Sequence, residues 1–195
     1  VRSLHLHARA HVALNDYGQA EAYFWRAVNT VKNVDDRLEE GTILKNFADL
    51  YYVQQKFTQA RDLYQKAQTQ FFAIGATDQQ ADALVRLGNT NFWLWNLDVA
   101  IVNYSEAYKL YTQLGNQQQQ ETTLHHIARI YHHRGELDKA LDFYNRSLRV
   151  YIDLGDRIGE GRIIAALGDI YRQYHYSQAS VMLDQALSIQ QSTQD

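Results

Sequence analysis

The chain has 195 residues, of which 46% are hydrophobic and 21% are charged, and its formal net charge is -3. This balance is typical of a folded protein, and it excludes both the basic composition of a general nucleic-acid binder and the acidic bias of a disordered tail. Because the chain has no cysteine, disulfides and thiolate metal sites are excluded, and we expect a cytoplasmic protein. No apolar run is long enough to predict a membrane span. The first residue is Val1 rather than methionine, so we expect the chain to be a piece of a longer protein.

Ten helices and no strand are predicted along the chain. Apolar residues recur three and four places apart in each segment, as at Leu137, Leu141, Tyr144 and Leu148, which is helical periodicity. Polar turns divide the helices into five antiparallel pairs, and within the pairs they read, in chain order, NDYG, QQKFT, WNLD, RGELD and YHYS.

The boundaries of the second helix of each pair are also predicted. A side-chain oxygen at the first position can accept a hydrogen bond from a free helix N–H, which favours as N-caps Thr58, Asp98, Asp138 and Ser177. Glycine tolerates the left-handed backbone that often follows a helix, which favours as helix ends Gly75, Gly115 and Gly155.

A repeat with a period of 40 residues runs through the whole sequence. It divides the chain into units of about 1–40, 41–80, 81–120, 121–160 and 161–195, which we expect to form a single domain over 1–195. One column of small residues comprises Ala8, Ala48, Gly88, Ala128 and Gly168, and an aromatic column comprises Phe24, Tyr64, Tyr104 and Tyr144. Small residues let two helices approach closely, and the aromatic rings fill the space beside them.

Three stretches of the repeat resemble the tetratricopeptide repeat: LGDIY at 167–171, KALDFYNRSL at 139–148 and QARDLYQKA at 59–67. The resemblance implies an all-α fold, a right-handed superhelical solenoid of five antiparallel helix pairs, with the first helix of each pair lining a concave groove. The period, together with LGNTN at 87–91 and DRIGEGR at 156–162, is similar to the longer-repeat subclass found in spindle-orientation adaptors with Leu-Gly-Asn repeats and in bacterial regulators.

The positions that the resemblance assigns to the groove are rich in positive charge. Seven cations (Arg2, Arg9, Lys45, Arg86, Arg129, Arg162 and Arg172) against three anions (Asp49, Asp82 and Asp169) leave an excess of four positive charges. Arginine pairs well with carboxylates, so we expect a protein or peptide partner with acidic residues. The predicted peptide-binding residues are Arg9, Lys45, Asn46, Tyr52, Arg86, Asn89, Trp93, His125, Arg129, His132, Arg162 and Arg172.

Aromatic residues add a second feature to the predicted groove. Tyr52 and Trp93 fall in the inward columns, and exposed aromatics beside arginines are typical of binding hot spots. Trp95 occupies the turn position where the next unit has Gly135, and we expect its side chain to pack between helices.

Four histidines cluster in the fourth unit. His125 and His132 are seven residues apart, as are His126 and His133, which separates each pair by roughly 10 Å along a helix. That is too far for two imidazoles to share one zinc ion, so no metal site is predicted. We interpret the histidines as part of the groove wall, able to donate hydrogen bonds and to gain charge below neutral pH.

The sequence contains no motif of a phosphate-binding loop or of a catalytic nucleophile, so we predict a non-catalytic interaction scaffold without a cofactor. A module that senses a peptide or small ligand within a larger signalling protein is the alternative. A third possibility is self-association through the last helix, which presents Val181, Leu183, Leu187 and Ile189. Neither a nucleic acid nor a membrane is an expected partner.

Overall fold

The computed structural model describes residues 1–173, and within that range every regular element is an α-helix. The predicted self-association residues of the last helix, and the predicted N-cap Ser177, lie outside the described residues. The helices are α1 (Arg2–Ala13), α2 (Tyr17–Val31), α3 (Arg37–Val53), α4 (Phe57–Ala73), α5 (Thr77–Trp93), α6 (Leu97–Gln113), α7 (Gln117–His133), α8 (Leu137–Leu154) and α9 (Arg157–Gln173).

The chain divides into two compact units, residues 1–110 and residues 111–195. In the first unit, α1 packs on α2, α2 on α3, α3 on α4 and α4 on α5. In the second unit, α7 packs on α8 and α8 on α9. The prediction that the whole chain forms one domain is not tested by these packing contacts and stays a prediction.

Small residues let the aromatic column into the core, as predicted. Gly88 on α5 faces the ring of Tyr104, and a Cβ atom added to it would lie 2.5 Å from the ring. Ala48 and Ala128 occupy the same column and are fully buried. The ring of Tyr104 thus fills the space that a larger residue at Gly88 would need.

The turns between helices repeat the left-handed conformation with the 40-residue period. Within the pairs, positive φ angles occur at Asn15, Gln55, Trp95 and Gly135. Between the pairs they occur at Asp35, Gly75, Gly115 and Gly155. The prediction that glycines end the second helices is therefore confirmed for the last three of these positions.

The predicted N-caps of the second helices are wrong by one or two positions. Helix α4 begins at Phe57 and α8 at Leu137, and the residues at their N-caps, Lys56 and Glu136, make no side-chain capping hydrogen bond. Thr58, Asp98 and Asp138 lie inside the first turn instead. The side-chain caps belong to first helices and to α2, where Asp36, Asn116 and Asp16 accept from backbone N–H groups.

One polar pair replaces small residues in the second unit. Glu121 on α7 and Ser147 on α8 are both fully buried, and the Ser147 hydroxyl donates a hydrogen bond to Glu121 Oε1. The corresponding residues one repeat earlier are Ala81 and Ala107. The second oxygen of Glu121 has no partner within the described part of the chain, and burial raises the pKa of this carboxyl group.

Candidate functional site

The predicted cations of the first unit are bound by its own carboxylates. Lys45 Nζ lies 2.8 Å from Asp82 Oδ2, and Arg86 reaches both Asp49, at 2.9 Å, and Asp82, at 3.5 Å. Burial opposes the charge on Arg86, but the two carboxylates outweigh it and raise the pKa of the guanidinium. These four side chains therefore cancel one another's charge, and the positive excess predicted for the groove does not arise from them.

Polar side chains of α1 and α3 form a second group in the first unit. Asn46 Nδ2 donates to His5 Nε2 at 2.8 Å, and His5 Nδ1 lies 3.2 Å from Glu39. Arg9 and Asn46 line the same cavity of about 250 Å³, together with Phe24, Asp49 and Val53 among other residues. The structure thus brings together two of the predicted site residues, Arg9 and Asn46.

The predicted aromatic residues are also brought together. Trp93 Nε1 donates to the Tyr52 hydroxyl at 2.9 Å, and the indole stacks on Phe57 with ring centroids 5.8 Å apart. Trp93 remains 54% exposed. Phe57 was not predicted as part of this group. It is the first residue of α4, and the helical periodicity does not indicate that its side chain contacts the end of α5.

The expectation that Trp95 packs between helices is wrong. Its side chain is 75% exposed, and its backbone has a φ of 60°. The turn requires the left-handed conformation that Gly135 supplies one repeat later, and this backbone turns the indole toward solvent instead of the core.

The second unit contains a cavity with a volume of about 540 Å³. We call it the α7–α9 cavity, and its walls comprise His125, Arg129, His132, His133, Tyr144, Ala166 and Asp169. Three of the predicted site residues, His125, Arg129 and His132, meet here. Its size falls within the range of about 300–1,000 Å³ that is typical of ligand pockets in proteins.

Burial keeps two adjacent imidazoles of α7 neutral at physiological pH, that of His125 in the cavity wall and that of His126. Burial, helped by the charges of Arg129 and Arg162, lowers the pKa of His125 to about 4. Burial, with His125 and Arg129, lowers the pKa of His126 to about 3. The two rings stack with centroids 5.9 Å apart. The prediction that these two histidines gain charge just below neutral pH is therefore wrong. It assumed rings exposed on a groove wall, whereas these rings are buried, and burial penalises the charged form.

The two last predicted arginines lie toward opposite ends of α9. Arg162 Nη2 approaches the hydroxyl of Tyr151 at 3.4 Å, on the side of α8. Arg172 pairs with Asp169 at 3.0 Å, one turn away on its own helix. Asp169 is part of the cavity wall, whereas Arg172 is not.

Asn89, another predicted site residue, is hydrogen-bonded within the protein. Asn89 accepts a hydrogen bond from the Tyr104 hydroxyl at 2.7 Å, so part of its hydrogen-bonding capacity is already used inside the protein. Over the described range, no three His, Cys, Asp or Glu side chains lie close enough together to hold a metal ion. None of the described helices combines the length and apolar character needed to cross a bilayer.

Three comparisons relate the chain to known proteins. No curated protein sequence matches it significantly. Among solved structures, BtubC (BKLC) from P. vanneervenii is 19% identical with a TM-score of 0.86, and the match covers 96% of this chain and 78% of that one. A putative kinesin light chain from Podosopora anserina with nearly identical repeats is 15% identical, with a TM-score of 0.81 and coverage of 99% and 96%.

A Rap protein complexed with competence and sporulation factor is also similar, at 12% identity and a TM-score of 0.73. That match covers 98% of this chain and 54% of the Rap chain. At these identities the likeness establishes the fold alone, and it confirms the predicted all-α helical-repeat architecture. The family model for the tetratricopeptide repeat matches residues 1–71, 79–153 and 119–192. Since these ranges span nearly the whole sequence, the chain belongs to the tetratricopeptide repeat family.

Proposed function

We propose that this protein is a non-catalytic interaction scaffold that binds a peptide segment with acidic residues on the face formed by the first helices of its repeats. The observation that carries the proposal is the α7–α9 cavity, where Arg129 meets His125 and His132 in a space of ligand size. The membership of the tetratricopeptide repeat family supports a role in binding other proteins. The structure of a Rap protein in complex with competence and sporulation factor is a similar fold with a bound factor.

The acidic preference belongs to the second unit in this proposal. In the first unit Lys45 and Arg86 are already bound by Asp49 and Asp82, so an incoming carboxylate would have to displace an internal one. At the α7–α9 cavity the wall contains Arg129 beside the imidazole of His125, which is neutral because its pKa is lowered to about 4. A guanidinium recognises a carboxylate through two parallel hydrogen bonds, which a lysine cannot do.

Selection from a random peptide library displayed on phage tests the proposal. The intact chain is expected to enrich a family of peptides with at least one acidic residue, and the Arg129→Glu variant is expected to lose them. The matched control is Arg149→Glu, which reverses an exposed cation on α8 outside the cavity. Failure to enrich any peptide, or equal enrichment by both variants, would contradict the proposal.

A sensing module within a larger signalling protein is the second candidate, and the similarity to Rap proteins favours it. Both candidates require the same binding event, and they differ in how far the repeats respond to it. Hydrogen exchange of the full chain with and without a selected peptide separates them. Protection confined to the contacted helices supports the scaffold, whereas changed protection throughout the repeats supports the sensor.

A further inference from the structure

A cavity of about 250 Å³ lies where α2, α3 and α4 meet in the first unit. We call it the α2–α4 pocket, and its apolar part comprises the buried side chains of Val28, Leu44 and Leu63. Its volume is below the range of about 300–1,000 Å³ that is typical of small-molecule pockets. The pocket is therefore of a size to hold one large side chain.

An exposed indole forms another part of the pocket wall. The ring of Trp25 on α2 meets the ring of Phe47 edge-on, with centroids 5.2 Å apart, yet Trp25 is still 47% exposed. The matching positions of the next three repeats hold polar residues, namely Gln65, Ser105 and Asn145. Packing of the repeat therefore does not require tryptophan here, and tryptophan is the residue most typical of binding hot spots.

Charged side chains complete the wall of the pocket. Lys32 follows the last residue of α2, Lys66 lies on α4, and Glu40 lies on α3. Among residues 1–173, neither ammonium group has a hydrogen bond or an ion pair. An ammonium group is attracted to the face of an aromatic ring, most strongly to that of tryptophan. An indole in this pocket would thus gain apolar contacts with the buried side chains and cation–π contacts with the lysines.

The first unit also presents an indole that makes few contacts with its own chain. Trp95 is 75% exposed, and its backbone has a φ of 60°. Among the described residues with a positive φ angle, Trp95 is the one with a hydrophobic side chain. The matching turn positions hold Asn15, Gln55 and Gly135. The fold gains no burial from Trp95 and keeps its backbone in an unfavourable conformation, which points to a role outside the chain.

The indole and the pocket do not meet within one chain. Trp95 is not part of the described wall of the α2–α4 pocket, and its side chain faces solvent. A second copy of the chain carries the same indole and the same pocket. Two copies can therefore bury the side chain that each of them exposes.

We propose that two copies of this chain associate through their first units, with the Trp95 indole of one copy inserted into the α2–α4 pocket of the other. Such a contact either closes reciprocally in a dimer or repeats along a series of copies. One inserted side chain buries less than the about 1,200–2,000 Å² of a standard interface, so the association is expected to be weak. This inference does not rest on the proposed function, because no predicted peptide-binding residue belongs to the described wall of the pocket.

Light scattering of the full chain from about 10 µM to about 1 mM measures the association. The mean mass of the intact chain should rise with concentration, and Trp95→Gly should weaken the association about tenfold or more. The matched control is Leu14→Gln, since Leu14 is also 75% exposed and the next repeat has Gln54 at that position. A constant mass of the intact chain would overturn the inference, and so would a rise that Trp95→Gly leaves unchanged.

Two variants test the pocket. Trp25→Gln introduces the residue type that Gln65 provides one repeat later, and Lys66→Glu introduces that of Glu106. Since neighbouring repeats accept these residues, both variants should fold, which circular dichroism checks. We expect Trp25→Gln to weaken the association about tenfold or more and Lys66→Glu to weaken it about threefold. Association of Trp25→Gln at the strength of the intact chain would contradict the proposed contact.

A mixture of two defective variants tests the contact directly. Trp25→Gln keeps the Trp95 indole and Trp95→Gly keeps the pocket, so each should remain monomeric alone, and together they should form one complete contact. The chain has three tryptophans, so ¹⁵N-labelled Trp25→Gln retains the indole N–H signals of Trp93 and Trp95. Unlabelled Trp95→Gly should shift the Trp95 signal and leave that of Trp93, which donates to Tyr52, in place. An unchanged Trp95 signal in the presence of the folded second variant would overturn the inference.

Discussion

Burial determines the charge of the adjacent histidines on α7. His125 and His126 have pKa values of about 4 and about 3 in the folded chain, against an ordinary value of 6.5. Between the lowered pKa values and 6.5, the unfolded chain therefore binds more protons than the folded chain. Above about pH 6.5 both imidazoles are neutral in the folded and the unfolded chain, and they cost no stability. As the pH falls from 6.5 toward 4, only the unfolded chain gains the protons, so the free energy of unfolding decreases.

We predict that acidification from pH 7 to pH 5 destabilises the second unit through these two side chains. Each imidazole adds a slope of up to about 1.4 kcal/mol per pH unit to the free energy of unfolding. The measurement is urea unfolding at half-unit intervals of pH, with His126→Gln as the comparison, whose slope should be shallower. Ring signals of His125 and His126 that titrate near pH 6.5 in NMR spectra would contradict the prediction.

Glu121 is a buried carboxyl group with the opposite pH dependence. Its pKa is raised above the ordinary 4.5, chiefly by burial, so its cost is absent below about pH 4.5 and grows as the pH rises from there to the raised value. We predict that Glu121→Gln, which keeps the volume and the acceptor for Ser147, stabilises the chain at pH 7 by about 1 kcal/mol. It should have little effect at pH 4.

The difference in unfolding free energy between the Glu121→Gln variant and the intact chain, taken at the same pH, isolates this side chain from the histidines. The control is Ser147→Ala, which removes the donor and should destabilise the chain most at pH 7. A difference that is the same at pH 4 and pH 7 would show that the carboxyl group of Glu121 does not titrate differently in the folded chain.

At the scale of elements, the turn within each helix pair demands a left-handed residue. Asn15, Gln55, Trp95 and Gly135 fill this position with φ angles of 58° to 71°. A residue with a bulky side chain costs about 1–2 kcal/mol in this conformation, whereas glycine adopts it freely. Trp95 is 75% exposed, so few contacts offset that cost.

We predict that Trp95→Gly stabilises the chain by up to about 1 kcal/mol, since part of the relief is lost to the greater freedom of glycine in the unfolded state. The matched reverse change, Gly135→Ala, should destabilise by about 1 kcal/mol, because open space surrounds its Cβ position and only backbone strain acts. Urea midpoints of the two variants provide the measurement. Destabilisation by Trp95→Gly would mean that the indole makes contacts worth more than the strain.

The sequence predicts helices better than it predicts their first residues. The 40-residue columns anticipate the burial of Ala48, Gly88 and Tyr104 and the glycine ends of the second helices, because close packing and a positive φ restrict the residue type. The first residues of α4 and α8 were predicted wrongly because the residues at their N-caps make no side-chain hydrogen bond. A pattern of good capping residues then points to Thr58 and Asp138 inside the helix.

For the candidate site, the repeat columns of the sequence predict residues of the cavity wall, but they do not predict the hydrogen bonds between side chains. His125, Arg129 and His132 line one cavity, and their role in peptide binding stays a prediction. Tyr144 was predicted as a member of the buried aromatic column, and the structure places the same side chain in the cavity wall as well. The exchange of Asp49 and Asn89 for Arg129 at the matching position is visible in the sequence, but that Asp49 and Asn89 accept hydrogen bonds from Tyr64 and Tyr104 is visible only in the structure.

At the scale of the whole molecule, a count of charges does not reveal where a charge is available. The predicted groove has an excess of four positive charges in the sequence, yet Lys45 and Arg86 are held by Asp82 and Asp49 across neighbouring repeats. These partners are 37 residues apart, close to one repeat, so the pairing depends on how columns of adjacent repeats face each other. Composition alone carries no information on this register.

The position of Arg129 in the cavity wall predicts where the binding of an acidic ligand is sensitive to mutation. Arg129→Gln should weaken an acidic peptide from the phage selection at least tenfold, since a hydrogen bond to a charged group is worth about 1.5–3 kcal/mol. The double variant Lys45→Gln and Asp82→Asn removes one cation and its partner together, so it should weaken the peptide much less. Fluorescence anisotropy at about 50 and about 300 mM NaCl measures both. Because salt screens the attraction to Arg129, the affinity of the intact chain should fall with salt more steeply than that of Arg129→Gln; an equal loss in the double variant would place acidic recognition in the first unit as well.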